Sequence, residues 1–157
     1  MTDLTTTHSI RARILSALGE RCYNLLALLP SDREQTPAIY WARQSLTPGE
    51  VPAVVIIPQP EQGERQYGID SLTMQVQVSM VCLLGDWLPV DLGEYLLGQM
   101  RKEIPSTDPT FGGLAIDIVY AGGGVDDYPE DTDQAMVCTT TWDISYETQN
   151  NNPFEQP

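Results

Sequence analysis

Two long segments in which apolar and polar residues alternate constrain the fold of this chain most. In segment 71–84, SLTMQVQVSMVCLL, every even-numbered residue is apolar. In segment 134–147, QAMVCTTTWDISYE, the apolar residues again fall largely on even numbers, and the polar Thr140 lies on the same face as these residues. Successive side chains of a strand point to opposite faces of its sheet, so the pattern predicts two strands that each bury one face.

The opposite faces of these two strands are uncharged and polar over much of their length. An antiparallel sheet often leaves one face in water, which accounts for such residues without a function. They suit an interface between subunits or the wall of a lumen equally well, and the pattern favours neither interpretation. The residues concerned are Ser71, Thr73, Gln75, Gln77, Ser79, Thr139 and Thr141.

The length of the two segments also matters. At about 3.4 Å per residue, each spans roughly 45 Å, whereas a compact chain of 157 residues has a diameter of about 40 Å. We therefore expect either a bulge that kinks the strands or a hairpin end that projects. A lone two-stranded ribbon is barely stable, so a projecting end would favour assembly.

Helical periodicity and three further strand patterns complete the fold prediction. Helices are predicted over residues 8–29, with Thr6 or Thr7 as N-cap, and over 89–104. The order α-β-β-α-β-β, with one extra short strand, predicts an α+β fold. We expect one largely antiparallel, twisted sheet of four to five strands with two helices packed on one face. The further strands are 39–42, 51–58, which prolines bound, and 114–120.

Length and charge limit the domain organisation and the partners. We expect residues 1–157 to form a single domain, with a core of about 9–148 and polar coil tails 1–7 and 149–157. The 8 basic and 22 acidic residues give a net charge of −14. Sequence-specific nucleic-acid binding and membrane binding both need a basic face, so we expect neither partner. No signal peptide or apolar span is present, which favours the cytoplasm or an assembly formed there.

The residue types that carry most enzyme chemistry are scarce. His8 is the sole histidine, and Cys22, Cys82 and Cys138 each fall within an apolar pattern. Reduced cysteines in such positions behave as small hydrophobes in a core. We predict no enzymatic activity, no metal site of the histidine and cysteine type, and no cofactor.

The segment AGGGVDDYPEDTDQ, residues 121–134, combines glycines with an acidic run. A phosphate cradle needs glycines that lead into a helix, but these lead towards a strand. The acids do not follow the spacing of a calcium-binding EF-hand loop. We interpret the segment as a hairpin loop, kept extended by charge repulsion and able to meet a partner, with a looser divalent-ion site as the alternative. Its acids are Asp126, Asp127, Glu130, Asp131 and Asp133.

Several stretches resemble the tail terminator proteins of long-tailed phages. They are ARQSLTPGEVPAVVIIPQPE, in which Arg43 is followed by VPAVVI, then TFGGLAIDIVYAG, and finally AMVCTTTWDISYET. The similarity follows the order of elements over about residues 9–148. The acidic loop and the C-terminal tail have no match in that family. In this tail, Phe154 is predicted to anchor on a neighbouring chain, with a contact on its own subunit as the alternative.

The resemblance implies a structural virion protein without catalytic residues. Such proteins form a homo-oligomeric ring, usually a hexamer, on the last layer of tail tube protein at the head-proximal end of the tail. The ring stops tube polymerisation and offers a surface to the head-side neck or connector protein, and DNA passes through it. The alternatives are another neck or tail-completion protein that joins head to tail, and a small divalent-ion-binding module.

Overall fold

A computed structural model describes residues 8–30, 36–131 and 134–157. Within these residues, the strands form one five-stranded sheet in the order β1-β2-β3-β5-β4. β1 and β2 are parallel, and the other neighbouring strands are antiparallel. The predicted α+β fold with a largely antiparallel sheet is thus confirmed. The elements are α1 (Ile10–Leu26), β1 (Ala38–Trp41), a short 3-10 helix (Pro48–Glu50), β2 (Ala53–Gln66), β3 (Ile69–Leu83), α2 (Pro89–Glu103), β4 (Asp117–Val125) and β5 (Ala135–Gln149).

Both helices pack on the face of the sheet that carries the even-numbered residues of β3 and β5. The buried stripes of the two helices meet these side chains in one hydrophobic core. The indole Nε1 of Trp142 donates to Thr140 Oγ1 at 2.8 Å, and Thr140 donates to the Val78 carbonyl at 3.1 Å. The polar atoms at the centre of this core are therefore paired, which avoids the cost of burying them alone.

The three cysteines are buried and free, as the sequence predicted. Burial raises the pKa of the Cys22 and Cys82 thiols to about 12 and that of Cys138 to about 11. All three are therefore protonated at neutral pH and contribute to packing.

Helix α1 is shorter at both ends than predicted. Ser9, not Thr6 or Thr7, is the N-cap, because its hydroxyl accepts a hydrogen bond from the Ala12 amide at 3.1 Å. Thr6 and Thr7 lie outside the described residues. At the other end, the amides of Leu28 and Leu29 bond carbonyls three residues back. This tighter turn, rather than α-helix, covers the last residues of the predicted range.

Strand β2 is longer than predicted and runs through Pro58 and Pro60, although we expected prolines to bound it. β1 pairs with β2 only as far as Ile56, so among the described strands β2 forms the sheet edge beyond that point. A proline on an edge removes no bond from the ladder. The register against β3 shifts between Pro58 and Glu61, which marks a bulge in β2. β3 and β5, whose lengths led us to expect a bulge or a projecting end, pair without a register shift.

The far end of the β2–β3 hairpin is supported in two ways. β5 pairs with β3 as far as Ile69 and Gln149, so the hairpin is not a lone ribbon. Beside the bulge, Glu61 accepts hydrogen bonds from the Tyr146 hydroxyl and from Arg11 Nη1, the latter at 3.0 Å. Burial, together with the bond to Glu61, raises the pKa of Tyr146. This contact joins α1, β2 and β5.

Strand β4 also differs from its prediction over residues 114–120. It extends to Val125, so the glycines at 122–124 belong to the strand and not to a loop. Gly122 and Gly124 have φ angles of 147° and 143°, which other residues rarely adopt. A Cβ at Gly123 would lie 2.4 Å from the Thr139 carbonyl oxygen. Glycine is required here because β4 approaches the backbone of β5 too closely for a side chain.

The connection from α2 to β4 is held by Asp108 and Arg21. The Asp108 carboxylate accepts hydrogen bonds from the Thr110 hydroxyl and from the amides of Thr110 and Gly112. These bonds, that of the Thr110 side chain first, hold the pKa of Asp108 below its ordinary value. Arg21 donates to the Ile104 carbonyl at 2.9 Å and stacks 4.0 Å above the Phe111 ring. Together they fix the segment that leads into β4.

We expect Gly123→Ala to lower the free energy of unfolding by roughly 1–3 kcal/mol, the usual cost of overpacking. The new methyl group would meet the backbone of β5, which cannot move without breaking the sheet. Urea denaturation measures the change. The matched control is Gly98→Ala, where a Cβ on α2 meets nothing within 4 Å and should stabilise by up to about 1 kcal/mol. Equal stability of the Gly123→Ala variant and the wild type would contradict the close approach.

The depressed pKa of Asp108 predicts a pH-dependent contribution to stability. The contribution is present above the unfolded pKa, about 3.9, and is lost as the pH falls through the folded value. Asp108→Asn should therefore lower Tm at pH 7, and its difference from wild type should shrink as the pH falls below the unfolded value. Thermal melts across this range measure it. Glu64→Gln, an exposed change, should show no such trend, and a constant Asp108→Asn difference would refute the linkage.

Candidate interaction surfaces

The acidic segment connects β4 to β5, which pair in antiparallel fashion, as expected for a hairpin. Asp126, Asp127, Glu130 and Asp131 are exposed. Asp133 lies outside the described residues. The glycines, which we had interpreted as part of this loop, instead lie within β4.

The described part of the loop folds back on helix α2 and does not stay extended as expected. A Cβ at Gly93 of α2 would lie 2.9 Å from Val125 Cγ2 and 3.5 Å from Tyr128 Cε1. Pro129 is buried. Repulsion between neighbouring charges in water amounts to about 1 kcal/mol or less per close pair. The packing of Tyr128 and Pro129 is sufficient to offset it.

Large apolar side chains are exposed at the start of α2, beside this loop. Leu88 is 69% exposed and Val90 is 58% exposed. Trp87 is partly exposed, and its ring packs on Tyr95 with 5.0 Å between centroids. Chains of this kind rarely leave several such residues together in water without an interaction to cover them.

Tyr128 of the acidic loop extends this apolar surface. Val90 and Gly93 are three residues apart and therefore lie on the same side of α2. Because Tyr128 packs on Gly93 and is itself 45% exposed, its ring lies on the same side of α2 as Val90. We name these side chains the α2 patch. It consists of Trp87, Leu88, Val90 and Tyr128.

Acidic side chains surround the α2 patch. Asp86 and Asp91 line the same open depression, of about 500 Å³, as Trp87 and Leu88. Glu94 follows Val90 by one helical turn. Among the described residues, the salt bridges involve Glu50, Glu61 and Asp70, so none of the surrounding acids is paired in this way. The surrounding acids are Asp86, Asp91, Glu94, Asp126, Asp127, Glu130 and Asp131.

The sequence analysis identified the acids of the loop but missed the α2 patch. A usable signal was present in DWLPVDLGEY for Val90, which falls outside the periodic stripe formed by Leu92, Leu96 and Met100. Leu88 continues the spacing of that stripe and is exposed because it is the N-cap of α2. Apolar residues off the buried stripe of a helix are candidates for exposure. The contact between Tyr128 and Gly93 had no counterpart in local sequence.

The C-terminal tail, which we predicted to be polar coil, lies against α1. The Ile10 amide donates to the Pro153 carbonyl at 2.8 Å, and Arg13 Nη2 donates to the Phe154 carbonyl at 2.7 Å. The first amides of a helix have no partner within it, so the tail supplies one. The Phe154 side chain is 42% exposed, and its contact with a neighbouring chain stays a prediction.

The sheet face opposite the helices is partly covered by the loop of residues 43–51. Val55 and Val81 are buried on this face. Leu46 of the loop and the adjoining strands line an open cavity of about 330 Å³. The predicted polar residues are partly paired with one another, since the Ser79 and Thr139 hydroxyls lie 2.8 Å apart. Local pairing therefore accounts for some of this polar face, and the remainder is accessible.

Among residues 8–30, 36–131 and 134–157, no three His, Cys, Asp or Glu side chains are grouped to hold a metal ion. None of the described helices is long and apolar enough to cross a membrane. Comparison of the sequence with protein-family models and with curated proteins found no match. Function is therefore inferred from the fold and these surfaces.

Removal of residues 153–157 should lower the free energy of unfolding by roughly 1–3 kcal/mol, because the Ile10 amide and the Arg13 guanidinium lose their carbonyl partners. Chemical denaturation measures this. Phe154→Ser keeps the backbone bonds and should cost less than about 1 kcal/mol. If the single substitution were as costly as the deletion, the ring rather than the backbone would hold the tail.

Proposed function

We propose that this chain is a structural virion protein of the tail terminator class. It forms a homo-oligomeric ring, a hexamer, that caps the tail tube of a long-tailed phage. The ring stops polymerisation of the tube protein and presents a surface to the head-side connector. It is assembled in the host cytoplasm and remains at the head-proximal end of the tail. The proposal includes no reaction and no cofactor.

The observation that carries the proposal is the order of elements along the folded chain. The stretches that resemble tail terminators each coincide with a coherent part of the fold. VPAVVIIP enters β2, FGGLAIDIVYAG leads into β4, and AMVCTTTWDISYET forms most of β5. One helix, α1, precedes the first stretch, and a second helix, α2, lies between β3 and β4. The order of these segments and helices along the fold supports a common architecture.

Charge and surface chemistry supply further support. A net charge of −14 would keep DNA from adhering to the wall of a ring through which it must slide. The sheet face opposite the helices carries uncharged Ser, Thr and Gln side chains and is accessible in part. The α2 patch is apolar with an acidic border. A ring subunit needs one kind of surface for its neighbours and another for different virion proteins. The two surfaces differ accordingly, since one is uncharged and polar and the other is apolar with an acidic border.

A different neck or tail-completion protein is the second candidate. The acidic loop and the C-terminal tail have no match in the tail terminator family, yet both are parts of the folded body. The loop packs on Gly93 and the tail caps α1. A head-side protein that joins head to tail would have the same fold class and could use these added contacts.

Native mass spectrometry of the purified protein should show a closed ring. Co-expression with the tube protein should give tubes of uniform length with the ring at one end in negative-stain images, while tubes made without it should vary in length. A protein that remains monomeric and leaves tube length unregulated would contradict the proposal. Binding to isolated heads but not to tubes would favour the head-joining candidate instead.

A further inference from the structure

The α2 patch combines exposed apolar side chains with a border of acids that form no salt bridge with the described cations. Trp87 and Leu88 share one depression with Asp86 and Asp91. On the other side, Tyr128 brings the acidic loop against α2 at Gly93. Protein interfaces commonly place aromatic and aliphatic anchors at the centre and polar groups at the rim. The arrangement therefore has the anatomy of a docking surface, and the acids specify the charge of what docks.

A second copy of this chain is poorly matched to that surface, because most described cations already bond to their own chain. Arg11, Arg43 and Arg65 form salt bridges. Arg13 and Arg21 donate to backbone carbonyls. Beyond these, Arg101 lies 4.6 Å from the centre of the Tyr120 ring. The remaining described cation, Lys102, cannot offset the acids around the patch.

We infer that the α2 patch docks a basic segment of a different protein, one that inserts apolar side chains between Trp87, Leu88, Val90 and Tyr128 while its Lys or Arg residues meet the surrounding acids. Charge complementarity selects a cationic partner, and the exposed Leu88 and Val90 require that it also carry apolar residues. Under the proposed function this partner is another virion protein. The docking surface itself does not depend on that assignment.

The test uses the full chain and two synthetic helical peptides of equal charge. One places Leu and Trp at helical spacings of three and four residues to form an apolar face, with Lys at the other positions. The other peptide has Ser in place of Leu and Trp. Isothermal titration calorimetry at a fixed salt concentration gives both Kd values. We expect the wild type to bind the apolar peptide at least about tenfold more tightly than the Ser peptide, since anchors dominate such interfaces.

Matched variants separate the patch from the overall charge. Leu88→Ser with Val90→Ser should remove most of the tenfold difference, and both positions are exposed enough for the fold to tolerate the change. Ile116→Ser with Val119→Ser, at 54% and 52% exposure, is the apolar control and should leave the difference intact. Asp126→Asn, Asp127→Asn and Asp131→Asn together should weaken binding of both peptides. Glu64→Gln, Asp143→Asn and Glu147→Gln remove as much charge elsewhere and should weaken it less.

Equal losses in the patch and control variants would overturn the inference. So would dissociation of a homo-oligomer of this chain by Leu88→Ser with Val90→Ser in native mass spectrometry, because the patch would then be an interface between copies. These outcomes are distinct from failure of the proposed function. Peptide binding requires no tube, so a chain that does not cap tubes can still show the predicted selectivity.

Discussion

The pairing of β3 with β5 along their full length is the constraint on which the rest of this structure depends. Every residue of each strand has a partner in the other. The ladder presents one continuous apolar face, and both helices cover it because they have no other surface on which to bury their stripes. β2 and β4 then add to its two sides, and β1 adds to β2. Features at either end of the molecule are positioned by this central pair.

The sequence was most informative where a pattern was long and local. Alternation over β3 and β5 and helical periodicity over α2 predicted these elements well, since each pattern reports a face that is buried along its length. Strand β2 could not be predicted past Pro58, because its prolines are tolerated only by virtue of an edge position that other strands create. The glycines of β4 were assigned to a loop. Their place in a strand could not be predicted, because the need for glycine at position 123 comes from its close approach to Thr139 and Thr140 of β5. Both errors concern neighbours distant in sequence.

For the interaction surfaces too, local features could be predicted from the sequence, whereas contacts between distant residues could not. Composition revealed the acids of the β4–β5 connection, and its role as a hairpin loop followed from the strands that flank it. Its contact with α2 was not predictable, because it depends on the small size of Gly93 and on the position of a helix more than thirty residues earlier in the chain. In the α2 patch, Val90 could be recognised from its position off the buried stripe, whereas the exposure of Trp87, Leu88 and Tyr128 depends on the tertiary structure. In this fold, the acidic residues can be recognised from the sequence, whereas the apolar surface that they surround is defined only by the tertiary structure.

The bond between the Ile10 amide and the Pro153 carbonyl also bears on how the molecule is made. α1 is synthesised well before Pro153, whose carbonyl caps it. The apolar stripe of α1 likewise has no complete sheet to cover it until β5 emerges. A nascent chain that pauses before β5 would therefore hold α1 both uncapped by the tail and uncovered by the sheet.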